Sequence, residues 1–220
     1  NAWVTSAKAL VSSDPHGAAM DLPAGPSEVL VIADESASAE FVAADLLSQA
    51  EHGVDSQVVL VTTSRQLAAD VNRAVEMQLA NLSRAEIAGA ALVNSRILLV
   101  EDLPTAVDVS NLYAPEHLIL QVTSPRELLS TLRNAGSVFV GPWTPESVGD
   151  YCSGTNHVLP TYGFARTYSG LGLDQFLRSM TVQELTSEGL RSLGGAVVTL
   201  AGMEGLDAHA AAVTRRLETV

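Results

Sequence analysis

The 220-residue chain is 47% apolar and carries a formal net charge of −13 at pH 7, which indicates a globular protein and disfavours nucleic acid or an anionic membrane surface as partner. No apolar run reaches the roughly 18 residues of a membrane span, and the first residues lack the basic and apolar parts of a signal peptide, so we expect a cytoplasmic protein. A single cysteine excludes an internal disulfide framework and a multi-thiolate zinc site.

Short, almost wholly apolar runs alternate with segments of helical pattern. Such runs are typical of buried strands, and their alternation with helices predicts an α/β fold: a Rossmann-like parallel sheet flanked by helices. Serines mark the predicted helix starts, with Ser36 or Ser38 before the first helix of the sheet, Ser64 before the next and Ser124 before a later one. The predicted strands are 28–34, 56–62, 96–100, 117–122 and 137–140.

The pattern changes near Leu173 to helices with one extended piece near Val197, which predicts a small, mainly helical C-terminal domain. The predicted organisation has three parts. Residues 1–27 are the end of an N-terminal domain and a linker, 28–171 the Rossmann-like domain and 172–220 the C-terminal domain.

The segment Gly149–Pro160 is the densest in reactive groups, with a carboxylate, a phenol, a thiol, an amide and an imidazole. The preceding Gly141–Pro145 predicts a long loop after a strand, not a helix face. Asp150 is a plausible oxygen ligand, and His157 is a candidate for metal, substrate or backbone contact. Cys152 is either a nucleophile or a buried, inert thiol. A solvated polar turn is the alternative for the segment.

Two pairs of polar residues stand where the helix and strand patterns break. Gln49 and His52 are three apart near a helix end, so they share one helical face and offer an amide oxygen and an imidazole nitrogen to a metal. The alternative is a solvated last turn with His52 favourably placed against the helix dipole.

Glu116 and His117 stand at the start of a predicted strand. If both are extended, their side chains point to opposite sides of the sheet. If Glu116 still lies in the preceding turn, both side chains can reach one cleft, where they suit acid–base chemistry. An exposed strand cap is the alternative.

The remaining histidines have weaker signals. His16 lies in a predicted surface turn, and His209 lies near a helix start, where either a ligand or a surface cap fits. Gly170–Gly172 is followed by Gln175 at the position where a dinucleotide fingerprint needs its third glycine, so no residue is assigned to a nucleotide.

Five segments, in order along nearly the whole chain, resemble histidinol dehydrogenase. This family uses zinc and makes L-histidine from L-histidinol in two NAD-dependent oxidations through bound L-histidinal. The resemblance implies an aldehyde-dehydrogenase-like arrangement of the sheet. The segments are Asp21–Glu28, Ser48–Gly53, Ala114–Leu118, Gly149–Pro160 and Leu206–His209.

The resemblance implies a role for each matching residue. His117 is the base that takes the alcohol proton, and Glu116 is the base that activates water at the aldehyde step, while Cys152 falls to packing. The implied zinc ligands are Gln49, His52, Asp150 and His209. The implied substrate contacts are Ser27, Gln49, His52, His117, Asp150, His157, Glu204 and His209.

The resemblance also implies a homodimer in which His209 and Glu204 complete the site of the neighbouring subunit. Family members are about twice as long, and Asn1 matches a point well inside them. We therefore expect the C-terminal half of the enzyme, with most NAD contacts in the other half. Two other functions stay open on the residues alone: a zinc hydrolase using Glu116-activated water, and a non-catalytic metal- or imidazole-binding module.

Overall fold

The computed structural model describes residues 2–219, without the side chain of Ala2. Five strands form one parallel sheet in the order β3-β2-β1-β4-β5, and the predicted strands are confirmed to within one residue at each end. The strands are β1 (Glu28–Ala33), β2 (Gln57–Thr62), β3 (Arg96–Leu99), β4 (His117–Gln121) and β5 (Ser137–Val140).

Helices connect the strands, and their starts follow the capping signals. The side-chain oxygens of Ser38 and Ser64 accept hydrogen bonds from the backbone N–H groups three residues on, as predicted for helix N-caps. The helices over Ala2–Ser13, Ala85–Leu92, Leu103–Tyr113 and Glu146–Tyr151 were not among the predicted elements. The helices are α1 (Ala2–Ser13), α2 (Ala39–Ala50), α3 (Arg65–Leu79), α4 (Ala85–Leu92), α5 (Leu103–Tyr113), α6 (Pro125–Leu128), α7 (Glu146–Tyr151), α8 (Ser187–Met203) and α9 (Asp207–Leu217).

Both faces of the sheet are buried, as continuous apolar strands require. Val29 and Val31 of β1 pack into a core cluster with residues of α2, α3 and α4. Leu30 and Ile32 point to the other face, where they pack with residues of α5. The chain runs outward from β1 to β3 and then returns to the other side of β1 for β4, so the starts of β1 and β4 are neighbours, with Val29 paired to His117.

Two sequence-based expectations are wrong. The segment from Gly149 is not a loop throughout: Gly149, Asp150 and Tyr151 belong to α7, which follows Pro145 as its N-cap and begins with the acidic Glu146. The extended piece near Val197 lies inside the continuous helix α8. Packing of α8 on α9 outweighs the strand preference of its β-branched residues.

The chain divides into two compact units, the first ending at Leu177 and the second beginning at Arg178. The sequence placed this boundary between 171 and 172. The first unit contains the sheet and α1 to α7, and the second contains α8 and α9. Among the described residues no helix is long and apolar enough to cross a membrane.

Candidate active site and metal centre

The backbone of Glu28, the first residue of β1, holds two reactive side chains from the start of β4. The backbone N–H of Glu28 donates to Oε2 of Glu116 over 2.9 Å, and Nδ1 of His117 lies 3.0 Å from the Glu28 carbonyl oxygen. Because a carbonyl oxygen only accepts, the His117 proton must lie on Nδ1. The Nε2 atom of a neutral His117 ring therefore carries the free lone pair.

Glu116 and His117 converge because Glu116 precedes the strand. Helix α5 ends at Ala114 in the left-handed conformation, with φ of 58°, and the pleat begins only at His117. The His117 Nδ1 and Glu116 Oε2 atoms lie 3.5 Å apart, and both side chains are buried. This geometry matches the one-cleft arrangement and excludes an exposed strand cap.

The close approach of β5 to the Glu116 turn requires a glycine. A Cβ atom at Gly136 would lie 2.6 Å from the Glu116 carbonyl oxygen, too close for any other residue without a shift of the backbone. Gly136 N–H donates to the carbonyl oxygen of Pro115 at the same point. The turn that presents Glu116 is thus fixed by the neighbouring strand.

Burial keeps both groups uncharged at neutral pH. It raises the pKa of the Glu116 carboxyl to about 8 despite the hydrogen bond from Glu28, and the Glu28 and Asp150 carboxylates raise this pKa further. Burial lowers the pKa of His117, and the hydrogen bond to Glu28 opposes that shift only in part. A neutral imidazole and a carboxyl that ionises near pH 8 suit proton transfer close to neutral pH.

Glu146, the first residue of α7, is a site residue that the sequence did not reveal. Its side chain is 1% exposed, and its Oε2 lies 4.0 Å from Nδ1 of His117. Burial raises the pKa of Glu146 to about 9, and nearby carboxylates, that of Asp150 first among them, raise it further. Treating this segment as a loop concealed the signal, because Glu146 and Asp150 are four apart and share one face once the segment is a helix.

Gln49, near the end of α2, is fully buried and faces Glu146. When its amide is turned, the nitrogen donates to Glu146, at 2.7 Å from Oε2 and 3.3 Å from Oε1, and lies 3.0 Å from Nδ1 of His117. The amide oxygen then takes the position 3.3 Å from Nδ1 of His52. The predicted pair at the helix end is therefore brought together, with an oxygen and a ring nitrogen side by side.

His52 joins this pair to a cluster of possible metal ligands. One donor atom each from His52, Glu146 and Asp150 lie within 4.8 Å of one another, a spacing that one divalent ion can bridge. The Oγ atom of Ser27 lies 3.4 Å from His52 Nδ1. The donors are nitrogen and oxygen atoms, a set suited to zinc and other divalent ions.

A cavity of about 720 Å³ borders this cluster at Ser27 and His52, a size common for small-molecule sites. Its wall includes Gly25, whose N–H donates to Thr161 Oγ1 over 2.6 Å and where a Cβ atom would collide with the ring of Tyr162. The cavity thus provides space for a small ligand next to Ser27 and His52.

Other predicted residues lie outside the cluster. His157 is exposed in the irregular segment after α7, and His16 is exposed, as predicted for a surface turn. Cys152 is also exposed, so the packing role predicted for it is wrong within this chain. Glu204 follows α8 and His209 lies in the first turn of α9, both in the second unit, and their site roles stay predictions.

Comparison with known proteins identifies the family. The profile of histidinol dehydrogenase matches residues 1–217. Proteins named histidinol dehydrogenase from Vibrio cholerae serotype O1 (strain ATCC 39315 / El Tor Inaba N16961) and Campylobacter jejuni (strain RM1221) are 65% and 59% identical, over 99% and 100% of this chain and 51% of each relative. A crystal structure of histidinol dehydrogenase from Elizabethkingia anophelis has a TM-score of 0.95 at 49% identity and covers 100% of this chain and 50% of that one.

This chain spans about half the length of the curated relatives it matches. The likeness extends over all five segments that carry the resemblance, and over the parallel sheet with its flanking helices. The chain belongs to the histidinol dehydrogenase family.

Proposed function

We propose that this chain supplies the acid–base and metal-binding part of an enzyme that oxidises L-histidinol to L-histidine through L-histidinal with two NAD. The observation that carries the proposal is the convergence of Glu116 and His117 with a cluster of metal donors in the first unit. Membership of the histidinol dehydrogenase family supports the choice of substrate.

The donor atoms fit a zinc ion. The Gln49 oxygen lies beside the ring of His52, and a carboxylate oxygen of Asp150 lies within 4.8 Å of a ring nitrogen of His52. We assign Gln49, His52 and Asp150 to zinc, with His209 of a second copy as the fourth ligand. When bound, zinc would serve as a template that orients the imidazole and amine of histidinol.

His117 is assigned the proton transfer that accompanies the first oxidation. Its Nε2 lone pair takes the proton of the substrate hydroxyl as hydride leaves the carbon that bears this hydroxyl, and the alcohol becomes an aldehyde. The hydrogen bond from Nδ1 to the Glu28 carbonyl holds the ring and stabilises the imidazolium that results. The lowered pKa of His117 keeps the ring neutral, and thus able to accept, at neutral pH.

Glu116 is assigned the proton transfer at the aldehyde level. Its carboxylate takes a proton from water while the water oxygen bonds to the aldehyde carbon, which prepares that carbon for the second oxidation. With a pKa of about 8 for Glu116, the ionised base becomes more abundant as the pH rises from 7 to 8. The second oxidation should therefore gain more from mild alkalinity than the first.

The sequence carries no glycine-rich dinucleotide fingerprint, so no residue of this chain is assigned to NAD. The residues of this chain are assigned to the proton transfers. Ser27 borders the cavity, and it is proposed with His157 and Glu204 to contact the substrate. We further propose a cytoplasmic homodimer in which Glu204 and His209 complete the partner's site. Activity that is unchanged in His209→Ala would contradict this arrangement.

The proposal is tested on the full-length enzyme that contains this chain, by metal analysis and by NADH formation with L-histidinol. Zinc-dependent turnover is expected, and His117→Gln should lose it by about 10²-fold or more. His16→Gln is the matched control, because His16 is exposed in a surface turn. Full activity in His117→Gln would contradict the proposal, and hydrolysis without NAD would favour a zinc hydrolase instead.

Tight histidinol binding without NADH formation is the third possible outcome. It would favour a binding module and contradict the roles given to Glu116 and His117, which lie within 3.5 Å of each other.

A further inference from the structure

The amide of Gln49 can present either of two atoms to the side on which His52 lies, and its neighbours decide which. In one orientation the amide oxygen would face the carboxyl oxygens of Glu146 and Nδ1 of His117. In the other the amide nitrogen takes that position, donates to Glu146 at 2.7 and 3.3 Å and lies 3.0 Å from Nδ1 of His117. The second orientation turns the oxygen toward Nδ1 of His52, 3.3 Å away. Only the oxygen can bind a metal ion, so this orientation decides whether Gln49 can be a ligand.

Both partners of this contact are held rigidly. Gln49 is 0% exposed and Glu146 is 1% exposed, so water cannot readily replace Glu146 as the acceptor for the amide N–H. The raised pKa of Glu146 keeps its carboxyl protonated at neutral pH, and the carbonyl oxygen of that carboxyl is the acceptor. Glu146 is fixed by its helix: a Cβ atom at Gly149 in α7 would lie 2.8 Å from the ring of Phe139, which shows how closely α7 packs on β5. The acceptor is thus built into the fold.

We infer that Glu146 is a positioning residue that locks the Gln49 amide with its oxygen turned to His52 and so sets an oxygen ligand for the metal. The inference rests on the proposed zinc site. Helix α7 then serves the site twice, because it carries Asp150 as a direct ligand and Glu146 as the group that orients a ligand on α2.

A direct ligand role for Glu146 is the competing explanation, since its carboxyl oxygen lies within 4.8 Å of donors from His52 and Asp150. The two roles differ in one respect. A residue that acts through Gln49 loses its influence on the metal once Gln49 is removed, whereas a direct ligand keeps it.

The test is a double-mutant cycle on the full-length enzyme, stripped of metal and titrated with zinc against a chelator, without substrate or NAD. Glu146→Met removes the acceptor at similar volume and should weaken zinc binding by about 10- to 100-fold. Glu146→Gln keeps an acceptor oxygen for the amide and should bind zinc nearly as well as the unmodified enzyme. Glu146→Met in a Gln49→Ala background should cause no further loss.

Cobalt absorption gives a second readout, because the loss of one oxygen ligand changes the spectrum of bound Co²⁺. Glu146→Met and Gln49→Ala should give the same altered spectrum. The control for general destabilisation is Val71→Ala: this buried residue of α3 should lower the melting temperature and leave zinc affinity and the cobalt spectrum unchanged.

The outcomes separate the inference from the proposed function. Further loss of zinc affinity on adding Glu146→Met to Gln49→Ala would overturn the positioning role and favour a direct ligand. Normal zinc binding in Glu146→Met, with weakened binding in Gln49→Ala, would overturn the inference alone. Normal zinc binding in Gln49→Ala would overturn both the inference and the ligand set.

Discussion

The Nδ1 atom of His117 donates to the carbonyl oxygen of Glu28 across the junction of β4 and β1. The bond lies at the amino-terminal edge of the sheet, where the order of connection reverses between these two strands. Open parallel sheets usually bind ligands at the opposite, carboxyl-terminal edge of such a reversal. There, the carboxylate of Asp34 accepts hydrogen bonds from Ser36 and Thr123.

Replacing Glu116 with Gln should separate the two oxidations. The glutamine oxygen still accepts from the Glu28 N–H, so the turn keeps its structure, but the side chain can no longer take a proton from water. We expect oxidation of L-histidinal to fall by about 10²- to 10⁴-fold and the first hydride transfer from L-histidinol to fall less. Single-turnover measurement of NADH with each substrate checks this, and an equal loss in both steps would contradict the assignment.

Zinc should stabilise the enzyme through His52. A ligand that binds only the folded state adds about 2.7 kcal/mol at 100 times its dissociation constant, so zinc should raise the melting temperature. His52 is exposed, so His52→Ala should leave the metal-free enzyme nearly as stable as before but abolish the zinc-induced rise. His16→Ala is the control, and a normal rise in His52→Ala would show that zinc binds elsewhere.

Gly149 should be intolerant of a side chain because of the approach of α7 to β5. In Gly149→Ala the added methyl group would lie 2.8 Å from the ring of Phe139, so α7 must shift and carry Glu146 and Asp150 with it. We expect a lower melting temperature together with weaker zinc binding.

Gly89 provides the matched control for Gly149. It lies in α4 with open space where its Cβ atom would stand, so Gly89→Ala should stabilise the protein by about 0.5–1 kcal/mol. A Gly149→Ala variant that behaves like Gly89→Ala would refute the tight contact.

Periodicity predicted the sheet, because strands buried on both faces leave continuous apolar runs that need no long-range information. The sequence alone could not decide whether Glu116 and His117 reach one cleft. Their convergence depends on the turn at Ala114 and on contacts with Glu28 and Gly136. These contacts join residues far apart in sequence and leave no local pattern.

Glu146 was missed for a different reason. The glycines and prolines around α7 are typical of loops, and the helix is stabilised by packing on Phe139 rather than by local propensity. The extended piece predicted near Val197 was wrong for the same reason. Val197 lies within α8, where Gly194 allows close contact with Leu217 and Val213 of α9. In both helices, tertiary packing outweighs the local sequence preference.

The buried carboxyl of Asp45 should make stability depend on pH. Burial raises the pKa of Asp45 to about 6 from 3.8, although the hydrogen bond from Gln121 opposes the shift. The contribution of Asp45 to the free energy of unfolding is therefore fully present below about pH 4 and is lost as the pH rises through 6. The reason is that Asp45 ionises at a lower pH in the unfolded chain than in the folded protein. A shift of about two units corresponds to about 3 kcal/mol.

Asp45→Asn should remove this loss, because asparagine does not ionise and still offers an oxygen to the Gln121 amide, which lies 2.7 Å from the Asp45 carboxylate. The free energy of unfolding of Asp45→Asn, relative to the unmodified enzyme, should thus rise between pH 4 and 7. Asp102→Asn should show no such rise over this range. Hydrogen bonds with Thr105 at the α5 N-cap lower the pKa of Asp102 from 3.8, so its contribution to stability is present above about pH 4 and is lost only at lower pH. Denaturant titrations across this range provide the measurement. Parallel curves for Asp45→Asn and the unmodified enzyme would mean that Asp45 is ionised in the folded protein despite its burial.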